Sequence, residues 1–469
     1  MKETKYRFEN FSFHDFAGVE RHLEAMAQKG WLLDKITALA WRYRRIEPKK
    51  LHFSVTYFSE ASEYNPYPTP NQRTFLDYCA DAGWNLAAEW AQMQILWSEL
   101  ENPVPIETDE ELRLRSIHKS MKKNFIPSSF VMIGLVILQL VLQFQRLKTS
   151  AFRTLSDNAF LVVIILWSLL MVQTVTNLGS YYLWYRKAQK AVAAGETCPT
   201  LRSGYRYFFF AILWAVLILF GAWVVDLLFQ GSAELVLVGA AIVGCSFGVT
   251  FGAKRLFKSM EFSAKANLVM TLITCVLATI AVTIVVGFFV MKLDLGPRDR
   301  TPAEVYTVTA QNGNTFDFAL YRDEIPLKLE EFMEIDSSVY SYKATKQSSL
   351  LLKMLECEQN APPLGYDTSD IWYRVLETPY APVYDFCLDQ ILEIRQNEDD
   401  ELIEQWRPID FPGCEEITVY QRFYGDDLLY PLTNYIAVDE DSIVVVRFGW
   451  ETTDAQVAHT LNFLTGLDL

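Results

Sequence analysis

The sequence is short of the groups that catalysis usually draws on. Its five histidines (His14, His22, His52, His118, His459) are scattered along 469 residues. No H-E-x-x-H zinc motif, Walker A loop, G-x-S-x-G nucleophile turn or kinase set is present. Seven cysteines contain no C-x-x-C pair, which excludes the usual zinc-ribbon and dithiol redox patterns. Cys245 and Cys275 fall inside apolar runs, where a thiol packs as a small hydrophobe. Two of Cys357, Cys387 and Cys414 could bridge in an oxidising compartment, but an odd number defines no framework. The opening MKETKYRFENFSFHDF lacks a long apolar core, so no cleavable signal peptide is expected. No catalytic residue, cofactor-binding residue or metal ligand can be assigned from these patterns.

Positive charge is scarce in one region only. Residues 301–469 carry about ten Lys and Arg against about 32 Asp and Glu, whereas the remainder is mildly basic within a net charge of −15. A region so acidic should be repelled by nucleic acid and by anionic headgroups. Its acidic runs, Asp439–Asp441, Glu398–Glu401 and Asp426–Asp427, could attract Ca²⁺. None has the twelve-residue loop of an EF-hand, and they read as solvated turns.

The long apolar runs are abundant. Phe125–Phe144, Ala159–Tyr182, Tyr207–Phe229, Glu234–Gly252 and Asn267–Met291 are each about twenty residues long, which matches a hydrocarbon core of ~30 Å at ~1.5 Å per helical residue. Only Asp226 and Glu234, near ends, carry charge. Five spanning helices are therefore expected within residues 125–291. Basic residues set their orientation. Arg113, Arg115, Lys119, Lys122, Lys123, Arg186, Lys187, Lys190, Arg202, Arg206, Lys254, Arg255, Lys258 and Lys265 flank one side. Arg146, Lys148, Arg153, Lys292, Arg298 and Arg300 flank the other. This asymmetry places the N-terminus in the cytoplasm and the acidic region, residues 301–469, outside.

Residues 1–106 read as an α+β domain that repeats itself. His22–Leu32 and Phe75–Leu86 each carry an amphipathic helix ending at a Gly-Trp pair, Gly30-Trp31 and Gly83-Trp84. The glycine suits a left-handed helix C-cap. Ala40–Ile46 and His52–Phe58, separated by Glu47–Lys50, alternate like a hairpin. Asn85–Trp90 and Met93–Ser98 follow the second pair, and Lys5–Phe8 can add a strand. The expectation is two helix–strand–strand units, with one sheet under two helices. Trp31, Trp41, Trp84, Trp90 and Trp97 are expected in the core rather than in an aromatic ligand cage.

Gly30-Trp31 and Gly83-Trp84, with the strands Trp41–Ile46 and Leu51–Phe58 between them, resemble an uncharacterised bacterial membrane-protein family. Its members come mostly from Firmicutes, carry an N-terminal domain of unknown function and often lie near genes for PadR-like regulators. The resemblance covers roughly residues 4–100. It implies a regulated role in the envelope or in stress, but no functional residue.

Residues 107–124 form a charged juxtamembrane helix, acidic first and basic last, in keeping with the helix dipole. Gln139, Gln143, Gln173 and Asn177 are polar residues in the spans, but no intramembrane ion pair marks a transport path. Ala240, Gly244, Gly248 and Gly252 place small residues along one helix face. That face suits packing within the bundle or, secondarily, a homodimer.

In residues 301–469, Val305–Ala310 and Thr315–Tyr321 flank Asn312-Gly313 as a hairpin. Asn434–Val438 and Ile443–Trp450 form another. Helices are expected near Leu327–Met333, Pro382–Glu393 and Ala455–Leu464, the last opened by a Thr453/Gln456 capping box.

The fold expected is thus a cytoplasmic α+β domain, a five-helix transmembrane bundle and an extracytoplasmic α+β domain. Embedded in the bilayer, such a chain fits a non-enzymatic sensory or regulatory protein with a cytoplasmic protein partner. A component of a transport or efflux system is the alternative, and an extracytoplasmic enzyme is a second one.

Overall fold

The computed structural model describes residues 3–37, 40–200, 204–229, 233–292, 302–309, 315–361, 369–393, 395–396, 403–424 and 430–469. The chain divides into two compact units. One is Met1–Leu140 with Ile165–Leu295, and the other is Val141–Ile164 with Gly296–Leu469.

The first unit opens with β1 (Thr4–Arg7), α1 (Phe16–Gln28), β2 (Trp31–Ile36) and β3 (Trp41–Arg45). It continues with β4 (His52–Tyr57), α2 (Pro70–Asp81), β5 (Asn85–Trp90) and β6 (Met93–Ser98). Two three-stranded antiparallel sheets form, in the orders β1-β3-β2 and β4-β6-β5. The expected single sheet is therefore wrong, and so is the expected β3–β4 hairpin. β3 pairs with β1 and β2, whereas β4 pairs with β6. Glu47–Lys50 connects two sheets rather than turning a hairpin. Alternation shows that a segment is a strand but says nothing about its partner, which non-local pairing decides.

Each half now has one plan, strand–helix–strand–strand, in which the first strand pairs with the last. The likeness extends to detail. Pairing of β2 with β3 slips between Leu33 and Lys35, and pairing of β5 with β6 slips between Leu86 and Ala88. In both halves the bulge falls three residues after the tryptophan of the Gly-Trp pair.

Local chemistry sets the helix ends. Asp15 accepts the Gly18 amide at 3.1 Å to open α1, and Thr69 caps α2 with Pro70 in the first turn. Gly30 (φ +78°) and Gly83 (φ +84°) end these helices in the left-handed region, which glycine enters without steric cost. Val19, Leu23 and Met26 of α1 then bury against Leu32, Leu33, Tyr43, Val55 and Ile95 of the strands. Trp41 and Trp84 are buried, while Trp90 is exposed.

Seven helices follow: α3 (Glu110–Lys123), α4 (Phe125–Thr149), α5 (Ala151–Leu155), α6 (Asn158–Ala193), α7 (Gly204–Phe229), α8 (Ala233–Ser259) and α9 (Ala264–Lys292). Asp109 caps α3, which has Glu110 and Glu111 in its first turn and Lys122 and Lys123 in its last. α4, α6, α7, α8 and α9 supply five segments long and apolar enough to cross a membrane. They coincide with the five runs expected, and the chain is a multi-pass membrane protein. α8 packs along α9. The small-residue stripe does not serve that packing. Ala240, Gly244, Gly248 and Gly252 are exposed, and a Cβ at any of the three glycines would meet nothing within 4 Å. α8 uses other faces, so the expected packing within the bundle through this stripe is not found among the described residues.

The second unit carries a hairpin, β7 (Glu304–Thr309) with β8 (Thr315–Leu320). Its Asn312-Gly313 turn lies outside the described residues. Next come β9 (Ser341–Ser348), β10 (Lys353–Asn360), β11 (Ile371–Glu377), α10 (Ala381–Leu392) and β12 (Arg395–Gln396). The chain ends with β13 (Ile403–Ile409), β14 (Thr418–Tyr424), β15 (Tyr430–Val438), β16 (Ser442–Phe448) and α11 (Asp454–Thr465). An antiparallel eight-stranded sheet runs β12-β13-β14-β15-β16-β11-β10-β9. The Thr453/Gln456 capping box opens α11 as expected. The helix expected over Leu327–Met333 is only a 3₁₀ turn, Leu329–Glu331. There the sheet holds the backbone directly, because the Leu327 and Leu329 amides donate to Tyr373 Oη and Gln359 Oε1.

One face of this sheet carries the larger apolar core. Cys357, Tyr373, Val375, Val444 and Val446 pack with Val457, Leu461 and Leu464 of α11. The other face changes character along the strands. Met354, Leu376, Ile436 and Ile443 bury against Cys387 of α10, Leu155 of α5 and Phe160 of α6. Further along, the side chains on this face become charged, at Glu356 and Arg374 two residues on from Met354 and Leu376, and at Arg447 four residues on from Ile443. Cys357, Cys387 and Cys414 are all buried and none forms a disulfide, and burial pushes the Cys387 thiol up to about 12.

Candidate functional site

The charged half of that second face forms the floor of a cleft of about 840 Å³. Register brings its residues together. Glu356 lies opposite Arg374, Trp372 opposite Arg447, and Trp406 opposite Arg422. Residues 148–153, at the end of α4 and the start of α5, form one wall. In a region where acids outnumber bases about three to one, five cations line the cleft: Lys148, Arg153, Arg374, Arg422 and Arg447. The lining carboxylates are Glu358, Glu393 and Glu404.

The guanidinium groups are held by aromatic rings and by acids. Arg374 sits over Trp372 at 4.9 Å and over Phe152 at 5.0 Å, and Arg422 over Trp406 at 5.8 Å. Such cation–π contacts contribute ~0.5–2 kcal/mol each, most when desolvated. Arg374 pairs with Glu356 at 3.2 Å and Arg447 with Asp370 at 2.8 Å, and Arg422 pairs with Glu404. Trp372 Nε1 donates to Glu356 Oε1 at 3.2 Å. Two buried atoms beneath the cleft, Arg374 Nε and Glu356 Oε2, have no hydrogen-bond partner, which is uncommon in a finished interior. Arg153 Nη2 stops 3.9 Å from that carboxylate oxygen. Guanidinium groups keep their proton at any physiological pH, so this cluster can bind and orient an anion but cannot shuttle protons.

A second cluster sits where α3 and α6 enter the core of the first unit. Leu114, Ile117 and Met121 of α3 and Tyr181, Trp184 and Ala188 of α6 bury in the same core as α1. Arg113 joins several segments. It bonds Glu107 at 2.9 Å and Glu110 at 2.5 Å, and packs over the Phe16 ring at 5.4 Å. Glu110 also accepts the Cys198 amide at 2.9 Å. His14 is buried against the rings of Tyr181 and Trp184, with neither ring nitrogen hydrogen-bonded. Burial lowers its pKa to about 3. Glu20 accepts the Val55 amide at 2.8 Å, and burial raises its carboxyl to about 7.

Residues 15–128 match DUF2812, a family described as a protein of unknown function. The matched stretch begins at the cap of α1 and ends in the first turn of α4, so it takes in the whole of α3. No curated protein and no solved structure matches the chain.

Among the positions marked by sequence, Asp439 sits in a tight turn closed by Asp439 N–H donating to Ser442 O, while Glu398–Glu401 and Asp426–Asp427 lie outside the described residues. No cluster of three or more metal-ligating side chains exists among the described residues. Gln139, Gln143 and Gln173 line neither the large cleft nor a smaller crevice of about 300 Å³, which Asn177 does line. Of the cleft cations, sequence marked Lys148 and Arg153 only as charges flanking a span, and Arg374, Arg422 and Arg447 not at all. One local signal was available. Trp372-x-Arg374 on a strand puts a cation beside an indole on one face, and Trp406 with Arg407 and Arg422 falls in the same chemistry.

Proposed function

We propose that the chain is a non-enzymatic sensory or regulatory membrane protein, its acidic unit outside the cell and its DUF2812 segment in the cytoplasm. The observation that carries this reading is the double membership of α6. Its first turns contribute Phe160 to the core beneath the eight-stranded sheet, and its last turns contribute Tyr181, Trp184 and Ala188 to the core of the DUF2812 segment. The helix between Phe160 and Tyr181 is ~31 Å long at ~1.5 Å per residue, the thickness of a bilayer's hydrocarbon core. On this reading α6 would carry the signal from one core to the other. The cleft supplies a place for a ligand, and a cytoplasmic protein partner would read the response.

Orientation follows from the basic residues that crowd alternate loops and from the odd number of spans. The matching strand–helix–strand–strand halves, each with its Gly-Trp pair and its bulge, support an origin by internal duplication. The open Ala240/Gly244/Gly248/Gly252 face leaves a close helix contact available to a second copy.

The test is cysteine accessibility in intact cells, with single reporters at Asp77 on α2 and at Glu440 in the β15–β16 turn, both exposed. Labelling at Glu440 alone supports the proposal. Equal labelling at both positions removes it, because the two domains would then share a compartment.

A further inference from the structure

The cleft is continuous in sequence with a membrane span. Lys148 and Arg153 stand on the residues that close α4 and open α5, so its wall begins where α4 leaves the hydrocarbon. Lys148 lies over the ring of Phe144 at 5.0 Å, the last residue of the apolar run. The β9–β10 turn lies beside the next span. The Leu350 amide donates to Asn158 Oδ1 at 3.1 Å, and Asn158 is the first residue of α6. Ser349 Oγ donates to the Leu155 carbonyl. Leu350 is 69% exposed, an apolar tip one hydrogen bond from the mouth of a transmembrane helix. A leucine there is stabilised by insertion among lipid acyl chains and has no such gain in water.

Cations and indoles beside a span at headgroup depth have one common ligand chemistry, a phosphate attached to an apolar body. We infer that the cleft binds the phosphate of an anionic phospholipid drawn from the surrounding leaflet. The inference rests on the reading of the cleft as the ligand site of the outer unit. Arg153 and Arg447 are the exposed donors, with side chains 68% and 49% accessible. Trp372 and Trp406 hold the guanidinium planes of Arg374 and Arg422, and the headgroup carbons pack beside them. The net negative charge of the acidic unit does not oppose this binding. The unit is tethered beside the bilayer, its far charges are screened beyond ~8–10 Å at physiological salt, and cations outnumber acids in the cleft lining.

The test uses the full-length protein, stripped of lipid in a neutral detergent and titrated with short-chain phosphatidylglycerol or phosphatidylcholine. Bound lipid is counted by native mass spectrometry. The expected result is one phosphatidylglycerol held at least tenfold more tightly than phosphatidylcholine. Arg153→Gln with Arg447→Gln should weaken it at least tenfold, whereas Lys119→Gln with Lys122→Gln, which removes equal charge from α3, should not. Equal loss in both double variants, or no preference for the anionic lipid, overturns the proposal. Glycerol 3-phosphate or inorganic phosphate binding as tightly as the lipid overturns the bilayer as the source. Failure of the transmembrane reading registers separately, because reporters at Asp77 and Glu440 would label alike while lipid retention stayed unchanged.

Discussion

His118 Nδ1 and the hydroxyl of Tyr181 lie 2.6 Å apart, joining the helix before the first span to the C-terminal part of α6. His118 also stacks on Tyr185 at 4.1 Å between centroids. The buried Tyr181 hydroxyl has its hydrogen-bond partner across an interface between helices, so the pair resists both sliding and separation. Tyr181→Phe keeps the ring and removes only that bond, with an expected cost of about 1 kcal/mol. His118→Ala removes the bond and the stack, with a larger cost of about 2 kcal/mol. Thermal unfolding of the full chain in nanodiscs gives the ordering, and equal midpoints for both variants and wild type would remove the role of this contact.

His14 and Glu20 give the N-terminal domain a two-sided pH dependence. The unfolded chain protonates His14 near 6.5, but the folded chain keeps it neutral down to about 3. The unfolded state therefore binds more protons across that window, and stability falls as pH drops from about 6.5, by an upper limit of about 2 kcal/mol at pH 5. Glu20 acts in the opposite sense. Its folded pKa is about 7 against an ordinary value of 4.5, so its contribution is present below pH 4.5 and is lost as pH rises to 7. His14→Gln should flatten the acid limb, and Glu20→Gln, which still offers an acceptor to Val55, the neutral limb. Unfolding midpoints at pH 5, 6, 7 and 8 check both, and parallel profiles for all three proteins would refute the assignment.

The two Gly-Trp glycines should not respond alike to alanine. Both need the left-handed conformation, which costs an alanine about 1–2 kcal/mol. At Gly30 the added Cβ would also stand 2.8 Å from the Ile46 carbonyl oxygen, whereas at Gly83 it would meet the Leu100 side-chain tip at 2.6 Å. The Ile46 amide donates to the Gly30 carbonyl, so this backbone cannot step aside, but a leucine methyl can. Gly30→Ala is therefore expected to destabilise more than Gly83→Ala, measured as the loss of protease resistance on heating. The reverse ordering would show that Leu100 is the more rigid neighbour.

These glycines mark how far the sequence could be read. The helix ends, the five spans and the capping box at Thr453 are local signals written within a few residues, and the structure keeps them. Strand pairing is not local. His52–Tyr57 has the alternation of a hairpin partner for Trp41–Arg45, yet it pairs with Met93–Ser98, about forty residues away. The cleft was hidden for the same reason. Arg374, Arg422 and Arg447 are dispersed in sequence and meet only because β11, β16 and β14 lie within four consecutive strands of one sheet. His14 and His118 looked scattered until α6 placed Tyr181 against both.

A helix shared between two cores should tolerate no change of phase. One alanine inserted after Leu169 rotates the two ends of α6 by ~100° relative to each other and lengthens it by ~1.5 Å. Under the proposed coupling, Phe160 and Trp184 cannot then both stay buried. The Cys198 thiol, buried in the core of the first unit and pushed up to about 12, should gain reactivity toward maleimide at least severalfold. An inserted block of seven residues nearly restores the phase, to within ~20°, and should return Cys198 toward wild-type reactivity. Unchanged reactivity with the single insertion would show that the two ends of α6 are mechanically independent.

The placement of Leu155 against the eight-stranded sheet has a consequence for biosynthesis. Leu155 and its bonding partner Ser349 are 194 residues apart, and Leu155 and Phe160 are buried against Met354, Leu376 and Ile443. At ~5–20 residues per second, the loop between the first two spans emerges about 10–40 s before Ser349 is made. During that interval its leucine and phenylalanines have only lipid, the insertion machinery or a chaperone to shield them. The eight-stranded sheet is thus completed against a loop made long before it, and a nascent chain that stalls before β16 leaves that apolar loop uncovered.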